Sequence, residues 1–304
     1  MVSPIERVLS DEQVEQFQNE GYFVARGLLS SEEVVALRER FMAIQREALA
    51  PQSTLRAFYQ PQTMDEAGGD ILKHFPRIMH PHRFDEASRA MMLNPKVESI
   101  LRDFLGEEAL AAQSMLYFKP PGARGQALHQ DNFYLKVSPG TCIAAWLSLD
   151  DADSENGTLF VVPGSHREKV LCPHAADLTR SFTTEEVDIP EGLSAIEVPL
   201  QAGDILFFNG SLIHGSYPNT SRERFRRAFI CHYVGMGTTE MNSGYYPLHT
   251  FDGQTLERGH AEGGGVCGTE EWAAYQAGIA AQMEIQEQEM AWMKQTALGK
   301  NAVV

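Results

Sequence analysis

The chain has 304 residues, of which 43% are hydrophobic and 22% charged, and it carries a formal net charge of −16 at pH 7. This acidity argues against a nucleic-acid partner or an anionic membrane surface, because both attract a basic surface that neutralises phosphates. The composition is that of an ordinary globular protein and favours action on a small-molecule substrate.

No linker interrupts the sequence, so we predict a single domain over residues 1–304. Residues 1–7 lack the apolar segment of a signal peptide, and no run of about 18 apolar residues occurs. We therefore expect neither secretion nor a membrane span, and a cytoplasmic location.

Residues 10–110 are predicted to form a mostly helical scaffold. Ser10 and Ser30 each precede a segment with helical periodicity and have Gln or Glu three residues later, which is the signature of a helix N-cap. Asn94-Pro95 separates two further helices. The predicted elements are a helix over 14–19, a strand over 22–25, a helix over 30–48 and two helices within 84–105.

A long segment without periodicity follows the second helix. Residues 51–70 are rich in Gln, Pro, Gly and Thr, and loops of this length in a compact domain are usually functional lids or disordered. Lys73 and Phe75 lie directly after this candidate lid.

The middle of the chain is predicted to be mainly β. Short runs of alternating or apolar residues are separated by Gly, Pro and Asn turns. This pattern after a helical start favours a double-stranded β-helix, that is a cupin-like jelly roll, over about residues 112–235, with helices flanking it. The predicted strands span 115–119, 127–135, 142–149, 158–162, 195–200, 204–208 and 225–234.

The C-terminal part, residues 236–300, is predicted to be a loop followed by a helix. Residues 235–268 are rich in Gly and aromatic side chains, which favours a second long loop at the mouth of the barrel. Residues 269–298 have the apolar periodicity of a helix. We expect this helix to pack on the N-terminal helices, with a homodimer contact as the alternative.

The candidate chemistry centres on His129 and Asp131. On a strand, side chains two residues apart point to the same face, so both could reach one metal ion. Two histidines and one carboxylate form the facial triad of non-haem Fe(II) oxygenases, which leaves three coordination positions open. The triplet alone is a weak signal, because it arises readily by chance.

Two further residues add to this triplet. His214 follows the apolar strand predicted at 204–208 and can face His129 from the open end of the barrel. Arg226 lies 12 residues later on the next strand, where its guanidinium could bind a buried dicarboxylate in a bidentate manner. Strand alternation lets only one of Arg226 and Arg227 point inward.

In their order along the chain, these motifs resemble the phytanoyl-CoA dioxygenase family of Fe(II)/2-oxoglutarate-dependent oxygenases. The resemblance covers about residues 12–235. The motifs that carry it are Met115-Leu116-Tyr117-Phe118-Lys119-Pro120-Pro121, Leu128-His129-Gln130-Asp131, Trp146-Leu147-Ser148-Leu149-Asp150, Gly157-Thr158-Leu159, Pro163-Gly164-Ser165-His166, Ala202-Gly203-Asp204, His214-Gly215-Ser216 and Phe225-Arg226-Arg227-Ala228.

The resemblance implies roles for individual residues. It implies that His129, Asp131 and His214 bind Fe(II), and that Arg226, helped by Ser216, binds the distal carboxylate of 2-oxoglutarate. Arg224 is the alternative to Arg226, because the run from His214 looks one residue longer than in the family. Positions implied to line the co-substrate site are Met115, Trp146 and Lys73, and candidate substrate contacts are Tyr117, Gln130, Phe133 and Phe75.

The implied reaction uses O2 and 2-oxoglutarate, releases succinate and CO2, and hydroxylates or otherwise oxidises an unactivated C–H bond. Related halogenases carry a small residue at the carboxylate position, so Asp131 favours hydroxylation over halogenation. Two alternatives stay open: a cupin-like metal-dependent isomerase or hydrolase without 2-oxoglutarate, and a non-catalytic jelly roll that binds a ligand. The substrate cannot be identified from the sequence.

Four other histidines are expected to have structural roles or to lie at the surface. His166 lies in a Pro-Gly-Ser turn, and His232 lies in the apolar run 229–234, where a satisfied core histidine is commoner than a metal ligand. His80 and His82 flank Pro81 and are expected at the surface.

Overall fold

Capped helices build the N-terminal scaffold of the computed structural model, which describes residues 7–48, 59–60 and 77–261. Helix α1 (Asp11–Glu20) begins at a capping box: the Ser10 hydroxyl accepts from the Gln13 N–H, and the Gln13 side chain accepts from the Ser10 N–H. It ends at Gly21 in the left-handed conformation. Ser30 and Glu33 form the same box at the start of α2 (Ser31–Ala48).

Helices α3 (Glu86–Met92) and α4 (Pro95–Leu105) confirm the predicted pair around Asn94-Pro95. The Asn94 side chain accepts from the Lys96 N–H, and Pro95 occupies the first helical position, where no N–H is required. Apolar side chains of α2 and α4 pack on the outer face of a large sheet, with the Phe41 ring stacked on Phe229 at 5.2 Å. The predicted helical scaffold is therefore confirmed.

The large sheet, called the major sheet, is antiparallel. Its central order is β1-β11-β6-β13-β4, and β4 also pairs with β3 and β15, which in turn pair with β2 and β16. The strands are β1 (Tyr22–Ala25), β2 (Tyr59–Gln60), β3 (Arg77–Met79), β4 (Ala109–Lys119), β6 (Ile143–Ser148), β11 (Ile205–Asn209), β13 (Arg226–Gly235), β15 (Leu248–His249) and β16 (Thr255–Leu256).

A second, four-stranded sheet, called the minor sheet, has the order β10-β7-β12-β5. Its strands are β10 (Ile196–Val198), β7 (Leu159–Val161), β12 (His214–Ser216) and β5 (Gln126–His129). Side chains of both sheets share one apolar cluster, which includes Trp146, Val161 and Phe208. Two antiparallel sheets packed through such a core form the predicted jelly roll. Two short pairs lie outside these sheets, β8 (His174–Ala175) with β9 (Glu185–Glu186) and β14 (Glu240–Met241) with β17 (Gly259–His260).

Several strand and loop predictions differ from the structure. The predicted strand 127–135 ends at His129, and Asn132–Leu135 form the one-turn helix α5. Strand β4 starts six residues before the predicted Met115, and β12 was not predicted because a three-residue strand gives little periodic signal. The predicted loop after residue 235 contains the short strands β14 to β17.

Several predictions fall outside the described residues. They concern Lys73, Phe75, most of the candidate lid 51–70 and the C-terminal helix 269–298 with its dimer contact. Within the described part, no helix is both long enough and apolar enough to cross a bilayer.

Candidate active site

Three side chains with metal-binding atoms meet at one end of the minor sheet. His129 is the last residue of β5 and His214 the first of β12, and the two are direct partners across this antiparallel pair. Their ring centroids lie 4.1 Å apart. Ligand atoms of His129, Asp131 and His214 all lie within 4.8 Å of one another, and no other such cluster occurs in the described part of the chain.

Asp131 reaches this point by a route that differs from the prediction. Strand alternation predicts that its side chain points to the same face as that of His129. In the structure, Asp131 instead has helical backbone angles (φ −61°, ψ −34°) and directly precedes α5. The chain leaves the strand after His129, where the Asn132 N–H donates to the Gly210 carbonyl at 2.8 Å. The convergence of the three residues is therefore made by a strand end and a helical turn together.

Backbone carbonyls orient both imidazoles. Nδ1 of His129 lies 2.9 Å from the Ala127 carbonyl oxygen, and Nδ1 of His214 lies 3.0 Å from that of Leu212. A carbonyl can only accept, so each Nδ1 carries the proton and each Nε2 keeps its lone pair. This arrangement suits both Nε2 atoms to a metal ion.

The protonation states also suit a metal ion. Burial and the nearby His129 lower the pKa of His214 to about 4, so this imidazole is neutral near pH 7. Burial acts to raise the pKa of Asp131, but His232, His214 and His129 outweigh it and hold the pKa well below its ordinary value. One carboxylate and a neutral imidazole are the forms that bind divalent metals.

A buried arginine lies beside this cluster. Arg226, the first residue of β13, is 2% exposed, and its Nε donates to the Gly157 carbonyl at 3.0 Å. Its guanidinium lies over the Trp146 ring, 5.1 Å from the centroid, and one terminal nitrogen is buried without a hydrogen-bond partner. Burial lowers the pKa of Arg226 to about 10, so the group stays charged near neutral pH.

Lys119 places a second cation next to Arg226. The two residues are direct partners between β4 and β13, and Lys119 Nζ donates to the Ser216 hydroxyl at 3.0 Å and to the Tyr217 carbonyl. Burial and the charge of Arg226 lower the pKa of Lys119 well below its ordinary value. Among the described residues, no carboxylate forms an ion pair with either cation.

One cavity of about 310 Å³ joins the metal-binding cluster to Arg226. It brings together eight residues that were predicted from the sequence, namely His129, Asp131, His214, Arg226, Ser216, Met115, Trp146 and Tyr117. Its other walls include Arg77, Gln113, Gln126, Tyr134, Thr183, Glu185 and Tyr245.

Three predicted candidates lie elsewhere. The Gln130 amide donates to the Ser211 carbonyl at 2.7 Å and accepts from the Leu171 N–H at 2.7 Å. Its side chain therefore links two loops and does not line the cavity. Phe133 does not line the cavity and packs edge-on against Tyr134. Arg224, the alternative to Arg226, is 40% exposed and forms ion pairs with Asp153 and Glu155.

Some cavity residues were missed although a sequence signal existed. Gln113 shares one face of β4 with the predicted Met115 and Tyr117, and His232 shares one face of β13 with the predicted Arg226, as the period of two predicts. Tyr245 lies in the Gly-rich stretch after β13, where no periodicity points to it.

The structure agrees with the predictions for two of the other histidines and contradicts the prediction for a third. His166 has the structural contact expected of it, since its Nε2 lies 3.1 Å from the Gln18 carbonyl oxygen. The surface prediction for His82 is wrong: it is 5% exposed and bonds to the Ser114 hydroxyl at 2.6 Å, because the Pro81 turn folds under β4. His232 is buried as predicted, and it also contacts Asp131.

Comparisons with known proteins agree with this geometry. The sequence pattern of the phytanoyl-CoA dioxygenase family matches residues 5–228. A zebrafish (Danio rerio) phytanoyl-CoA dioxygenase domain-containing protein 1 is 29% identical in an alignment of 265 positions that covers 75% of this chain and 90% of that protein. A probable alpha-ketoglutarate-dependent hypophosphite dioxygenase of Stutzerimonas stutzeri is 27% identical and aligns with 70% of this chain and 76% of its own.

Solved structures show the same fold at lower identity. EctD from S. alaskensis, solved with 2-oxoglutarate and 5-hydroxyectoine, has a TM-score of 0.60 and 19% identity, and covers 78% of this chain and 79% of its own. The epimerase SnoN, solved with Fe3+, alpha ketoglutarate and nogalamycin RO, has a TM-score of 0.58 and 20% identity, and covers 75% of this chain and 84% of its own.

Proposed function

Because the chain belongs to the phytanoyl-CoA dioxygenase family, we propose that it is an Fe(II)- and 2-oxoglutarate-dependent oxygenase that hydroxylates a small organic substrate. The observation that carries this proposal is the adjacency of two unlike sites in one cavity. One is a cluster of two imidazoles and a carboxylate, and the other is the buried guanidinium of Arg226, which forms no ion pair with a carboxylate of the described residues.

The first site is assigned to iron. His129, Asp131 and His214 hold Fe(II), and the buried, carbonyl-oriented imidazoles fit this role without rearrangement of their rings. Bound Fe(II) supplies the oxidative decarboxylation of 2-oxoglutarate by O2, to succinate and CO2, and the coupled oxidation of the substrate. The protein orients the ligands and limits the access of water.

The second site is assigned to the distal carboxylate of 2-oxoglutarate. Burying a cation without an anionic partner is costly, and Arg226 keeps one guanidinium nitrogen unpaired beside the cavity. A carboxylate bound there satisfies this nitrogen and balances the charge of Arg226. Ser216, whose hydroxyl accepts from Lys119, lines the same wall.

The buried cations also distinguish the alternatives. A cupin-like isomerase or hydrolase without a 2-oxo acid has no use for Arg226 in this position. A non-catalytic jelly roll has no use for two buried imidazoles, one of them kept neutral by burial, beside an ionised carboxylate. Both alternatives leave a principal feature of the cavity without a role.

Hydroxylation is the reaction type that we propose. Asp131 occupies the ligand position that must be small to admit a halide, which opposes halogenation. Structural neighbours described as an epimerase and a carbocyclase show that this fold also carries other 2-oxoglutarate-dependent reactions. The volume of about 310 Å³ holds the co-substrate as well, which favours a small substrate.

The first test is succinate release from 2-oxoglutarate with Fe(II) and a library of small acids, amino-acid derivatives, lipids and secondary metabolites. We expect Arg226→Gln to raise the KM for 2-oxoglutarate by about 100-fold, or about 2.7 kcal/mol, because it removes one partner of a buried charge pair. His129→Ala should abolish both turnover and metal binding.

Arg224→Gln is the matched control, since this arginine is ion-paired at the surface only two residues away. Its KM should stay within about twofold of the wild-type value. An equal loss in both variants would contradict the assigned role of Arg226. Absence of succinate release and of 2-oxoglutarate binding by the metal-loaded protein would contradict the proposed function.

A further inference from the structure

His232 is a buried histidine of β13 that contacts one of the proposed metal ligands. It lies on the face of the strand that also carries Arg226, and it is 2% exposed. Its Nε2 lies 2.8 Å from Oδ2 of Asp131. Because a carboxylate only accepts, Nε2 carries the proton of this hydrogen bond.

The Asp131 carboxylate has no comparable second contact. Nε2 of His129 is 3.5 Å from Oδ1 and Nε2 of His214 is 3.8 Å from Oδ2, so both contacts are longer than the bond to His232. Although Asp131 precedes a helix, its side chain accepts no capping hydrogen bond from the backbone. Within the described part of the chain, the side-chain direction of Asp131 therefore depends on His232.

The contact also connects the two sheets. His232 lies in the middle of the major sheet, flanked in register by Gln113 of β4 and Ala144 of β6. Asp131 follows the edge strand of the minor sheet. The hydrogen bond therefore links the start of α5 to a central strand of the other sheet.

We propose that His232 is a positioning residue that holds Oδ2 of Asp131 and leaves Oδ1 for the metal ion. This inference rests on the proposed function, since it assumes that Asp131 is a metal ligand. It assigns to His232 more than the role of a core residue that fills space. Partners of this kind orient the ligand, and their loss commonly weakens metal affinity by about 10–100-fold.

The test compares His232→Gln with His232→Met in the full-length chain. The two side chains have similar length and flexibility, but only Gln has an N–H that can donate to Oδ2. Co(II) affinity is measured by calorimetry, and the visible absorption spectrum of bound Co(II) reports the ligand geometry. We expect His232→Met to weaken Co(II) binding at least tenfold with an altered spectrum, and His232→Gln to stay within about threefold of wild type.

Two controls separate positioning from stability. Thermal unfolding of each metal-free variant reports any general damage, and His82→Gln, a buried histidine that contacts Ser114 and no metal ligand, should leave Co(II) affinity unchanged. If the first pair does not give folded protein, His232→Asn and His232→Leu repeat the comparison of a donor with an isosteric non-donor.

The outcomes distinguish the two proposals. No Co(II) binding by the wild-type protein would contradict the proposed function itself. Wild-type binding together with unchanged affinity and spectrum in the non-donor variant would overturn the role of His232 alone. Equal losses in the donor and non-donor variants would also overturn it, because ring packing would then account for the effect.

Discussion

At the scale of single residues, side-chain type was easier to predict than backbone route. His129, Asp131 and His214 could be selected from the sequence, because few residue types bind iron and the surrounding motifs fix their order. The turn at Asp131 could not, since it depends on the hydrogen bond from Asn132 to Gly210, about 80 residues away along the chain. The choice between Arg226 and Arg224 depended on the strand register, which the sequence gives only to within a few residues.

His82 gives a prediction about stability and pH. Burial, with the charges of His80 and His249, lowers its pKa from 6.5 to about 3 in the folded protein. The unfolded chain therefore binds a proton between these values that the folded chain does not. The stability contribution of neutral His82 is complete above about pH 6.5 and is lost progressively as the pH falls towards 3, by about 2 kcal/mol at pH 5.

The measurement is urea unfolding of wild type and His82→Gln at pH 7.5 and pH 5.0. Because Gln does not titrate, the variant should lose about 2 kcal/mol less than wild type on acidification. Equal losses would show that His82 accepts a proton in the folded state.

At the scale of elements, regular strands were predicted well and short ones poorly. The alternation of β13 predicts that Arg226 and His232 share a face, although the partners of that face come from other strands. The turn before β7 shows the same limit. Gly157 belongs to one of the sequence motifs. Its closeness to Lys119 and Tyr217 arises only from the packing of the two sheets and could not be predicted.

Gly157 supports a prediction about this turn. It has φ +92°, and a Cβ there would lie 2.6 Å from Lys119 Cδ and 2.7 Å from the Tyr217 carbonyl oxygen. Its own carbonyl accepts from Arg226. We expect Gly157→Ala to destabilise the fold by about 3 kcal/mol or more and to raise the KM for 2-oxoglutarate at least tenfold.

Gly192→Ala is the control for backbone strain alone. Gly192 also has a positive φ, +84°, but nothing lies within 4 Å of its Cβ position. This change should cost about 1 kcal/mol in urea unfolding and leave the KM unchanged. If both variants keep the wild-type KM, the turn does not shape the co-substrate site.

At the scale of the whole molecule, the proposed cofactors span both sheets. The proposed iron ligands belong to the minor sheet and the turn after it, whereas Arg226, Lys119 and Trp146 belong to the major sheet. The jelly-roll prediction implies two packed sheets. It could not predict which site residues lie on which sheet, because no sequence signal gives the relative placement of the sheets.

Ligand binding should therefore stabilise the entire fold. With Mn(II) present, 2-oxoglutarate at about 100 times its Kd should add about 2.7 kcal/mol and raise the Tm by about 4 °C. The control ligand is 2-oxovalerate, which keeps the keto acid but lacks the distal carboxylate. It should raise the Tm far less, since it leaves Arg226 and Lys119 without an anion. Equal shifts from both keto acids would contradict the role of the buried cations.

Tyr245 reaches the cavity from a part of the chain that follows the family match, which ends at residue 228. We therefore expect residues 236–261 to contribute to substrate choice, whereas the proposed cofactor ligands all lie within the family match. A chimera in which residues 236–261 are replaced by those of a relative should still bind Fe(II) and 2-oxoglutarate. It should oxidise a different substrate. Variation confined to this stretch would then change the oxidised molecule while the jelly roll and its proposed cofactor site stay the same.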